Sequence, residues 1–568
     1  MIKRNLIILS IFINIIINAQ IPVYAWAKQI GGNFEQIGNS IKVDVSGNVY
    51  TTGYYSGIVD FDPGPGVYNL TSNGGRDIFI SKLDALGNFI WAISIGGATI
   101  DQGLSIEIDN LGYIYVTGNF SGTVDFDNSL GVYNLTSTGA VYDMFVLKLN
   151  FLGDFVWAKS IGNTSNENPY YIKKDFIGNI YILGTFYGVV DFDPSVAISN
   201  LSSIGGGNDI FILKLDSNGD YLWAKRFGGN QGDLGKSLVF DLIGNIYVTG
   251  SIFSSIADLD PGPGVYNLSF LDGFDIFVLK LDPLGNFKWA KEIGGNSNDF
   301  ANCIDINSNG EIYITGSFGY LLDFDPGIGV NNLSPLPGST NVFILKLDSA
   351  GNFIWAKDMG GNGYSAGYSI TIDGSDNIYC TGIFEAVTDF DPNSGIFNLS
   401  SNGGEDIFIA KFNGIGNLLS AKQIGGISYE KSNSITTDVS GNVYVTGYFN
   451  RNVDFNPDSG IDNLNCLDTN DVFILKLDHG IVNLIESEEL NNISIFPNPS
   501  NSFINIEFKN FNNENTIIQI LNSLGEILLN EQINKQNCRF NIEKFPLGIY
   551  FVKITQNEKQ QIIKLIKE

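Results

Sequence analysis

A unit of 65 or 66 residues recurs along most of this chain, and no other feature constrains the fold as strongly. Six tryptophans mark the unit, at Trp26, Trp91, Trp157, Trp223, Trp289 and Trp355. A tyrosine after a Gly-Asn-like turn marks seven copies, at Tyr50, Tyr115, Tyr181, Tyr247, Tyr313, Tyr379 and Tyr444. A lysine in the run (D/N)xFxxKx(D/N) marks the same seven, at Lys82, Lys148, Lys214, Lys280, Lys346, Lys411 and Lys476. Because three markers keep one register, the chain is predicted to be a repeat protein.

Each unit contains four short runs rich in Val, Ile, Phe and Tyr, separated by Gly, Asn, Asp and Pro. In the first unit these runs are 40–45, 48–55, 77–84 and 88–95, here called A to D. Runs of this composition, without helical periodicity, predict β-strands. Radial stacking of the units predicts an all-β fold, a seven-bladed β-propeller of four-stranded antiparallel blades over residues 20–480. A β-solenoid is the competing repeat fold, although its rungs are usually much shorter.

The two ends of the repeat array predict how the ring closes. The seventh unit has its A, B and C runs near 434–439, 442–449 and 471–478, and then stops without a D run. The missing run is found at 23–30, before the first complete unit. We therefore expect the N-terminal strand 23–30 to complete the last blade, since closure removes exposed sheet surface. In the sixth unit Ser420 replaces the tryptophan, so this blade is expected to be the weakest unless a neighbour fills the space.

The connections between the strands predict two unlike faces. The A–B and C–D turns are short and contain glycine, which predicts a flat, featureless face. The B–C connections are far longer, as in 56–76, and they carry many aspartates. A ligand site, if the propeller has one, is therefore expected on the second, acidic face.

Nearly every B–C connection carries the sequence DFDP or a close variant. The aspartates are Asp60/Asp62, Asp125/Asp127, Asp191/Asp193, Asp258/Asp260, Asp323/Asp325, Asp389/Asp391 and Asp454, whose partner position holds Asn456. Side chains at i and i+2 of a strand lie on one side, about 6.5–7 Å apart. Two interpretations stay open. Either each aspartate accepts backbone N–H bonds and stabilises the next turn, or some pairs bind Ca²⁺ together with carbonyls and waters, although the DxDxDG spacing of a calcium loop is absent.

Composition and residue counts exclude several classes of function. A net charge of −28 and a pI near 4.3 exclude nucleic acid as a partner and disfavour anionic membrane surfaces. His479 is the only histidine, so the propeller cannot assemble a Ser-His-Asp, Cys-His or His-metal site. The four cysteines, Cys303, Cys380, Cys466 and Cys538, do not follow the repeat and are expected to be free thiols. No catalytic residue and no resident cofactor other than the Ca²⁺ alternative are predicted.

The N-terminus has the pattern of a Sec signal peptide over residues 1–19. Lys3 and Arg4 precede an apolar run of about 12 residues, and Ala19 offers a small residue for cleavage. Such a run is too short for a spanning helix, which needs about 20 residues. A membrane anchor is the alternative, and no transmembrane segment is predicted in the mature chain.

Two parts of the chain resemble known families. The runs GNIYVTGSI, SGTVDFD and NDIFILKLDSNGDYLWAKRFGG are similar to SBBP-type β-propeller repeats of bacterial surface proteins, and the resemblance covers about 23–478. A composition change near Gly480 indicates a polar linker, 481–492. Residues 493–568 resemble the type A sorting domain of type IX secretion, through Phe496-Pro497-Asn498-Pro499, Gly525, Gly548-Ile549-Tyr550 and Lys564. Alternating apolar residues there predict a small Ig-like β-sandwich, with an ordinary binding module as the alternative.

The resemblance implies Sec export, passage through the outer membrane by the type IX machinery, and removal of residues 493–568 at the cell surface. We expect a secreted or cell-surface, non-enzymatic propeller that acts as a binding or adhesion scaffold for a glycan or a surface protein. A structural surface-layer component is the alternative. An enzyme is weighed as well, because paired carboxylates can serve glycoside hydrolysis and LDPLGNFKWAK is similar to the tryptophan-docking repeat of quinoprotein dehydrogenases. Recurrence in almost every unit favours a structural role for both motifs.

Overall fold

The computed structural model describes residues 21–139, 142–269, 273–479, 493–508, 516–521, 527–546, 548–556 and 559–567. All the secondary-structure elements in these described residues are β-strands. Contacts divide the chain into two units, Met1–His479 and Gly480–Glu568. The predicted signal peptide, 1–19, and the predicted linker, 481–492, lie outside the described residues.

The first unit begins with β1 (Val23–Gly32) and continues in groups of strands that follow the sequence repeat. The first two groups are β2 (Gln36–Val43), β3 (Val49–Asp60), β4 (Asn69–Leu83), β5 (Phe89–Ile95); and β6 (Gln102–Ile108), β7 (Ile114–Phe120), β8 (Thr123–Asp125), β9 (Asn134–Thr136), β10 (Asp143–Leu149), β11 (Phe155–Ile161). The third and fourth are β12 (Asn168–Lys174), β13 (Ile180–Phe186), β14 (Val189–Asp191), β15 (Asn200–Ser202), β16 (Asp209–Leu215), β17 (Tyr221–Gly229); and β18 (Asp233–Phe240), β19 (Ile246–Ile252), β20 (Ile256–Asp258), β21 (Asn267–Ser269), β22 (Asp275–Leu281), β23 (Phe287–Ile293).

The fifth and sixth groups are β24 (Asp299–Ile306), β25 (Ile312–Phe318), β26 (Leu322–Asp323), β27 (Asn332–Leu333), β28 (Asn341–Leu347), β29 (Phe353–Gly361); and β30 (Ser365–Ile372), β31 (Ile378–Phe384), β32 (Val387–Asp389), β33 (Asn398–Ser400), β34 (Asp406–Phe412), β35 (Leu418–Ile424). The last is β36 (Lys431–Thr437), β37 (Val443–Phe449), β38 (Asn452–Asp454), β39 (Asn463–Asn465), β40 (Asp471–Asp478).

Each group forms a four-stranded antiparallel sheet in the order A-B-C-D, such as β18-β19-β22-β23. In the last group the D position is taken by β1, which pairs with β40 from Val23↔Asp478 to Ile30↔Val472. The A strands contact one another in chain order, and β36 contacts β2. The sheets therefore surround a common centre, and the predicted all-β propeller fold is confirmed.

The B and C strands are buried on both faces. Every residue of β7 and of β10 is buried, which is the pattern of a sheet covered on each side by a neighbour. The D strands alternate between buried and exposed residues, as in β11. This places the A strands at the centre and the D strands at the outer edge.

The repeating lysine of the C strand connects adjacent blades. Its ammonium group lies 4.6–5.6 Å from the centre of the B-strand tyrosine ring of its own blade. In six blades it also donates to a carbonyl in the C–D turn of the next blade, at 2.9–3.4 Å. The lysine recurs because each blade interface needs a cation in this position.

The repeating tryptophan closes the same interface. Trp223 of the third blade covers Gly285 in the C–D turn of the fourth, where a Cβ would lie 3.2 Å from the indole ring. Gly285 also has φ of +77°, a backbone conformation that favours glycine. Trp26 covers Gly87 in the same way, across the point where the ring closes.

Ser420 occupies the tryptophan position of the sixth blade for a reason that the sequence does not reveal. The seventh blade has no C–D turn, because its D strand comes from the N-terminus. His479 lies there instead, with Nδ1 3.4 Å from the Tyr379 hydroxyl and 3.0 Å from the Gly441 carbonyl oxygen. A tryptophan at this position would therefore have no turn glycine to cover.

The long B–C connections protect the outer edges of the blades. Each contains a small hairpin whose base lies beside the D strand of the preceding blade, as in the pairing Gly31↔Asp60. The hairpin then turns back onto its own D strand, where Tyr68 stacks on Phe89 at 4.8 Å. These connections thus run along the rim of the propeller rather than standing on one face, and they shield strand edges that would otherwise pair with other chains.

The second unit contains β41 (Ile493–Phe496), β42 (Phe503–Phe508), β43 (Thr516–Leu521), β44 (Ile527–Ile533), β45 (Asn537–Asn541), β46 (Gly548–Gln556) and β47 (Lys559–Lys567). They form one sheet in the order β41-β42-β45 and another in the order β44-β43-β46-β47. Apolar side chains from both sheets, including Ile506, Ile520 and Val552, share one core. This is the small β-sandwich that the alternating pattern predicts.

Candidate functional site

The DFDP aspartates serve the turns that follow them. In the first blade Asp60 Oδ1 accepts N–H bonds from Asp62 at 3.0 Å and from Tyr68 at 2.8 Å, and Asp62 Oδ1 accepts one from Gly64 at 2.8 Å. The first aspartate of every later pair accepts the same two bonds, from the residues two and eight positions further on. The second aspartate accepts an N–H bond at 2.8–3.0 Å from the residue two positions further on, at Asp127, Asp193, Asp260, Asp325 and Asp391.

The structure does not gather the calcium candidates into a metal site. Within the described residues no group of three or more His, Cys, Asp or Glu side chains is arranged to hold a metal ion. This holds for each candidate pair, Asp60/Asp62, Asp125/Asp127, Asp191/Asp193, Asp258/Asp260, Asp323/Asp325 and Asp389/Asp391, and for Asp454 beside Asn456. An oxygen of each aspartate instead accepts backbone N–H bonds, so the contacts favour the turn interpretation. Calcium binding stays a hypothesis, and it requires a melting temperature that falls when EDTA is added.

The A–B and C–D turns are short, but the face that they form is not featureless. Its turns present exposed apolar side chains, among them Leu111, Ile177 and Ile243. These residues occupy equivalent A–B turn positions in the second, third and fourth blades, whereas the first blade has Ser46 and the fifth blade has Asn309 at that position. The sequence predicts the geometry of this face but not its apolar character.

Buried carboxyl groups recur between adjacent blades, and sequence reasoning missed them. One acidic residue near the start of the buried part of a C strand and another at or just before the start of the next A strand recur at five interfaces, Asp77/Asp101, Asp143/Glu167, Asp209/Asp233, Asp275/Asp299 and Asp406/Glu430. Burial raises the pKa of Asp77 and of Asp101 to about 6, and burial raises the pKa of Glu167 to about 8. The signal in the sequence is the glycine after each D strand, since a Cβ at Gly96 would lie 2.3 Å from Asp77 Cγ.

A cavity at the centre of the ring is lined by A-strand side chains, including Ser40, Lys173, Val239 and Asp305. Two lysines of its lining are paired with one carboxylate of the wall. Glu107 Oε2 lies 3.4 Å from Lys42 Nζ and 3.8 Å from Lys173 Nζ. Burial opposes ionisation of Glu107, yet the two lysines hold its pKa below the usual value. These ion pairs lie on A strands at the end nearer the A–B turns.

The other end of the channel, on the side of the D–A connections, is built differently. Each A strand has a β-bulge, and the unpaired residues are Asn39, Leu104, Tyr170, Lys236, Asn302, Tyr368 and Asn433, here called the bulge ring. A bulge frees a side chain from the sheet pattern and is common beside functional sites. Three members donate to a carbonyl of the next blade at 2.8–2.9 Å, namely Asn39, Asn302 and Asn433. The bulge therefore recurs in every blade, whereas the type of the unpaired residue differs from blade to blade.

Two lysines at this end of the channel lie on tyrosine rings. Lys236 Nζ is 4.1 Å from the centre of the Tyr170 ring, and Lys431 Nζ is 4.0 Å from that of Tyr368. Burial lowers the pKa of Lys236 to about 8, and the charge of Lys431 contributes to the decrease. Lost hydration and a nearby positive charge thus both lower the pKa of Lys236.

Tyrosines and charged groups continue around the channel opening. Tyr368 and Tyr364 share a hydrogen bond, and Tyr364 is 38% exposed. On the first blade Arg76 lies 4.5 Å from the centre of the Tyr54 ring and 2.5 Å from Glu35 Oε2. We call the following set the mouth cluster: Glu35, Tyr54, Arg76, Tyr170, Lys236, Tyr364, Tyr368, Glu405, Lys431 and Tyr448.

The mouth cluster consists of positions at which the repeats disagree. The position of Tyr54 is Asn119, Thr185, Ser251, Ser317, Ile383 and Tyr448 in the other blades. By contrast, the B-strand tyrosine and the C-strand lysine are present in all seven copies. Sequence reasoning from the repeat overlooks such positions, because a repeat is recognised by what its copies share.

Comparison with known proteins agrees with the two-part organisation. Residues 494–568 match the family described as a secretion system C-terminal sorting domain, and residues 25–54, 222–255 and 421–450 match the SBBP β-propeller repeat. The uncharacterized WD repeat-containing protein L264 of Acanthamoeba polyphaga mimivirus is 24% identical, over 75% of this chain and 36% of its own length. The regulatory protein FlaEY of Caulobacter vibrioides is 26% identical, over 45% of this chain and 27% of its own length. The match thus spans about a third of each of these relatives.

The solved structures that match this chain are more distant in sequence. PorZ, a bacterial surface component of the type-IX secretion system of Porphyromonas gingivalis, is 11% identical, with 95% of this chain and 100% of that chain covered and a TM-score of 0.24. Sqt1 from Chaetomium thermophilum is 9% identical, with 80% and 99% covered and a TM-score of 0.36. In the part of the chain that the structure describes, no helix is long and apolar enough to cross a membrane.

Proposed function

We propose, for a chain that carries SBBP β-propeller repeats and a type IX secretion sorting domain, that it is an exported, non-enzymatic binding protein whose ligand site is the mouth cluster. The observation that carries the proposal is the pattern of agreement among the repeats. The B-strand tyrosine and the C-strand lysine that hold the blades together are the same in each copy. The residues around one end of the channel differ and include four tyrosines from three adjacent blades, Tyr54, Tyr364, Tyr368 and Tyr448. A surface with only a structural task would not need this asymmetry.

The chemistry of the mouth cluster suits binding rather than catalysis. Tyrosine offers a large, rigid surface with a hydroxyl group at its tip, and it is enriched at binding sites for this reason. Arg76 and Lys431 lie against tyrosine rings, so their side chains are held in position before a ligand arrives. We therefore expect the propeller to bind a glycan or a surface protein at this end of the channel.

A glycan array and a panel of surface-protein fragments test this function. The purified chain should bind at least one probe, and the variant Tyr364→Ala/Tyr448→Ala should lose most of that binding. The control is Tyr68→Ala, which removes a tyrosine at the rim, where it stacks on Phe89. Binding that survives the double variant, or that is lost equally in the control, contradicts the proposed site.

A structural surface-layer component is the second candidate, and one repeated feature favours it. The tips of the B–C hairpins present an exposed aliphatic side chain in each blade, at Val67, Val132, Ile198, Val265, Val330, Ile396 and Ile461. Apolar groups repeated around a rim suit lateral assembly. A blank array, together with ordered self-assembly in analytical ultracentrifugation, would support this candidate instead.

A further inference from the structure

We propose that Lys236 and Lys431 bind the anionic group of an acidic glycan, either a carboxylate or a sulfate ester, at the mouth of the central channel. The inference rests on the proposed function, because it names the ligand class of the same site.

The two lysines lie outside the pattern that uses lysine to join the blades. C-strand lysines such as Lys148 donate to a carbonyl of the next blade, at 2.9 Å in that case. Lys236 and Lys431 are on A strands, where the equivalent residues of Lys236 are Asn, Leu or Tyr. No carboxylate among the described residues lies within ion-pair distance of either ammonium group. Lys236 therefore lies on a tyrosine ring without the counter-charge that partly buried cations normally have, and Lys431 has only Glu405 nearby, beyond ion-pair distance.

The two ammonium groups also act on each other. Burial lowers the pKa of Lys236 to about 8, and Lys431 contributes to the decrease through its like charge. The net charge of the whole chain is −28, so this local group of positive charges differs in sign from the protein as a whole. An anionic group bound at this end of the channel would supply the counter-charge that Lys236 lacks and would form charge-assisted hydrogen bonds with these ammonium groups.

The surroundings limit how much negative charge the site accepts. Glu405 is near enough to Lys431 for the two charges to interact, and burial raises the pKa of Glu405 despite the lysine. Further along the channel wall, Lys42 and Lys173 are already paired with Glu107. A polyanion such as nucleic acid needs many more cations than these. The site therefore fits a ligand with isolated anionic groups.

The tyrosines favour a sugar as the carrier of that group. A sugar ring has an apolar C–H surface that stacks on an aromatic ring, and hydroxyl groups that bond to phenols and carboxylates. Tyr170 and Tyr368 lie beside the lysines, and Tyr364 is hydrogen-bonded to Tyr368. An acidic peptide would present the same carboxylate without this stacking surface.

Isothermal titration of the purified full chain with four probes tests the inference. The probes are an oligogalacturonate, a sulfated oligosaccharide, a neutral oligosaccharide of equal length and an acidic peptide. At least one acidic oligosaccharide should bind about ten times more tightly than the neutral one, and comparison of the two acidic sugars distinguishes carboxylate from sulfate. Lys236→Met and Lys431→Met should each weaken that binding about tenfold, or about 1.4 kcal/mol, whereas Lys236→Arg should retain most of it. The control is Lys288→Met, a half-exposed lysine on a D strand, and melting temperatures show that each variant is folded.

Three outcomes would overturn the inference. Equal binding of neutral and acidic sugars, unchanged in the lysine variants, would leave the proposed binding function standing and remove the anion site. Binding of the acidic peptide alone would replace the glycan with a protein ligand. Failure of every probe here and on the array would reject the anion site and the proposed function together.

Discussion

Single side chains contact two blades at once, and the repeating tryptophan is an example. Trp223 covers Gly285 of the next blade and lies 5.8 Å from Tyr181 in its own, ring centre to ring centre. The interface thus depends on one side chain that touches two sheets. Ser420 has this position in the sixth blade, where the next blade has no C–D turn. His479 of the last blade lies there instead and contacts Tyr379.

This difference predicts unequal effects of substitution at equivalent positions. Trp223→Ala should lower the free energy of unfolding by about 3–5 kcal/mol, because it opens a cavity between two blades. Ser420→Trp should give no comparable gain, since no turn glycine is available for the added ring to cover. Chemical denaturation of both variants and the parent chain measures the two changes. A stabilisation by Ser420→Trp as large as the loss at Trp223 would contradict this account of the sixth blade.

Among the strands, β1 connects the last blade to the first. It forms a complete outer strand on β40, and its last two residues then pair with the base of the first hairpin, at Gly31↔Asp60 and Gly32↔Val59. Trp26 on the same strand covers Gly87 of the first blade. One strand thus joins the first and last blades by backbone pairing and by side-chain packing.

Removal of residues 20–30 should therefore open the ring. We expect the truncated chain to melt at a lower temperature and to aggregate, because β40 becomes an exposed edge strand. A matched control is the triple variant Val156→Thr, Leu222→Thr and Ile354→Thr, which changes exposed D-strand side chains and leaves every strand paired. Thermal melts and light scattering compare the two. An unchanged melting temperature in the truncated chain would show that β1 does not hold the ring closed.

For the whole molecule, the buried carboxyl groups between blades predict how stability depends on pH. Burial raises the pKa of Asp77, Asp101, Asp143, Asp209 and Asp406 to about 6, and that of Asp299 and Glu430 to about 7. The folded chain therefore holds more protons than the unfolded chain, whose carboxyl groups titrate near about pH 4. Stability contributed by these groups is present below about pH 4 and is lost as the pH rises toward about 8.

We expect the melting temperature to fall as the pH is raised from about 5 to about 8. Asp77→Asn should reduce this slope, because it removes one group that binds a proton on folding. Asp84→Asn should leave the slope unchanged, since hydrogen bonds from Asn88 and Leu86 outweigh slight burial and keep the pKa of Asp84 below its usual value. Calorimetry across this range measures the slopes, and a melting temperature that rises with pH would refute the prediction.

The sequence by itself determined the repeat, the strand composition of each unit, the four-stranded blades and the C-terminal sorting domain. These features are local or periodic, so they can be seen without knowing which blades touch. For the aspartates, the structure shows backbone N–H bonds to Asp60 and Asp62 within their own turn, while calcium binding stays a hypothesis. Only the tertiary structure shows that the two buried carboxyl groups of a pair, about 24 residues apart in the chain and in adjacent blades, face one interface, because the glycine between them in the sequence does not reveal which side chains it lies against.

The candidate site could not be predicted for a further reason. Lys236 and Lys431 belong to different blades and are separated by three repeats, yet the closed ring places both on A strands at the same end of the channel. A periodic sequence shows what each blade contributes to the scaffold. It does not show which non-repeating residues meet at the channel, because that depends on the ring that all the blades form together.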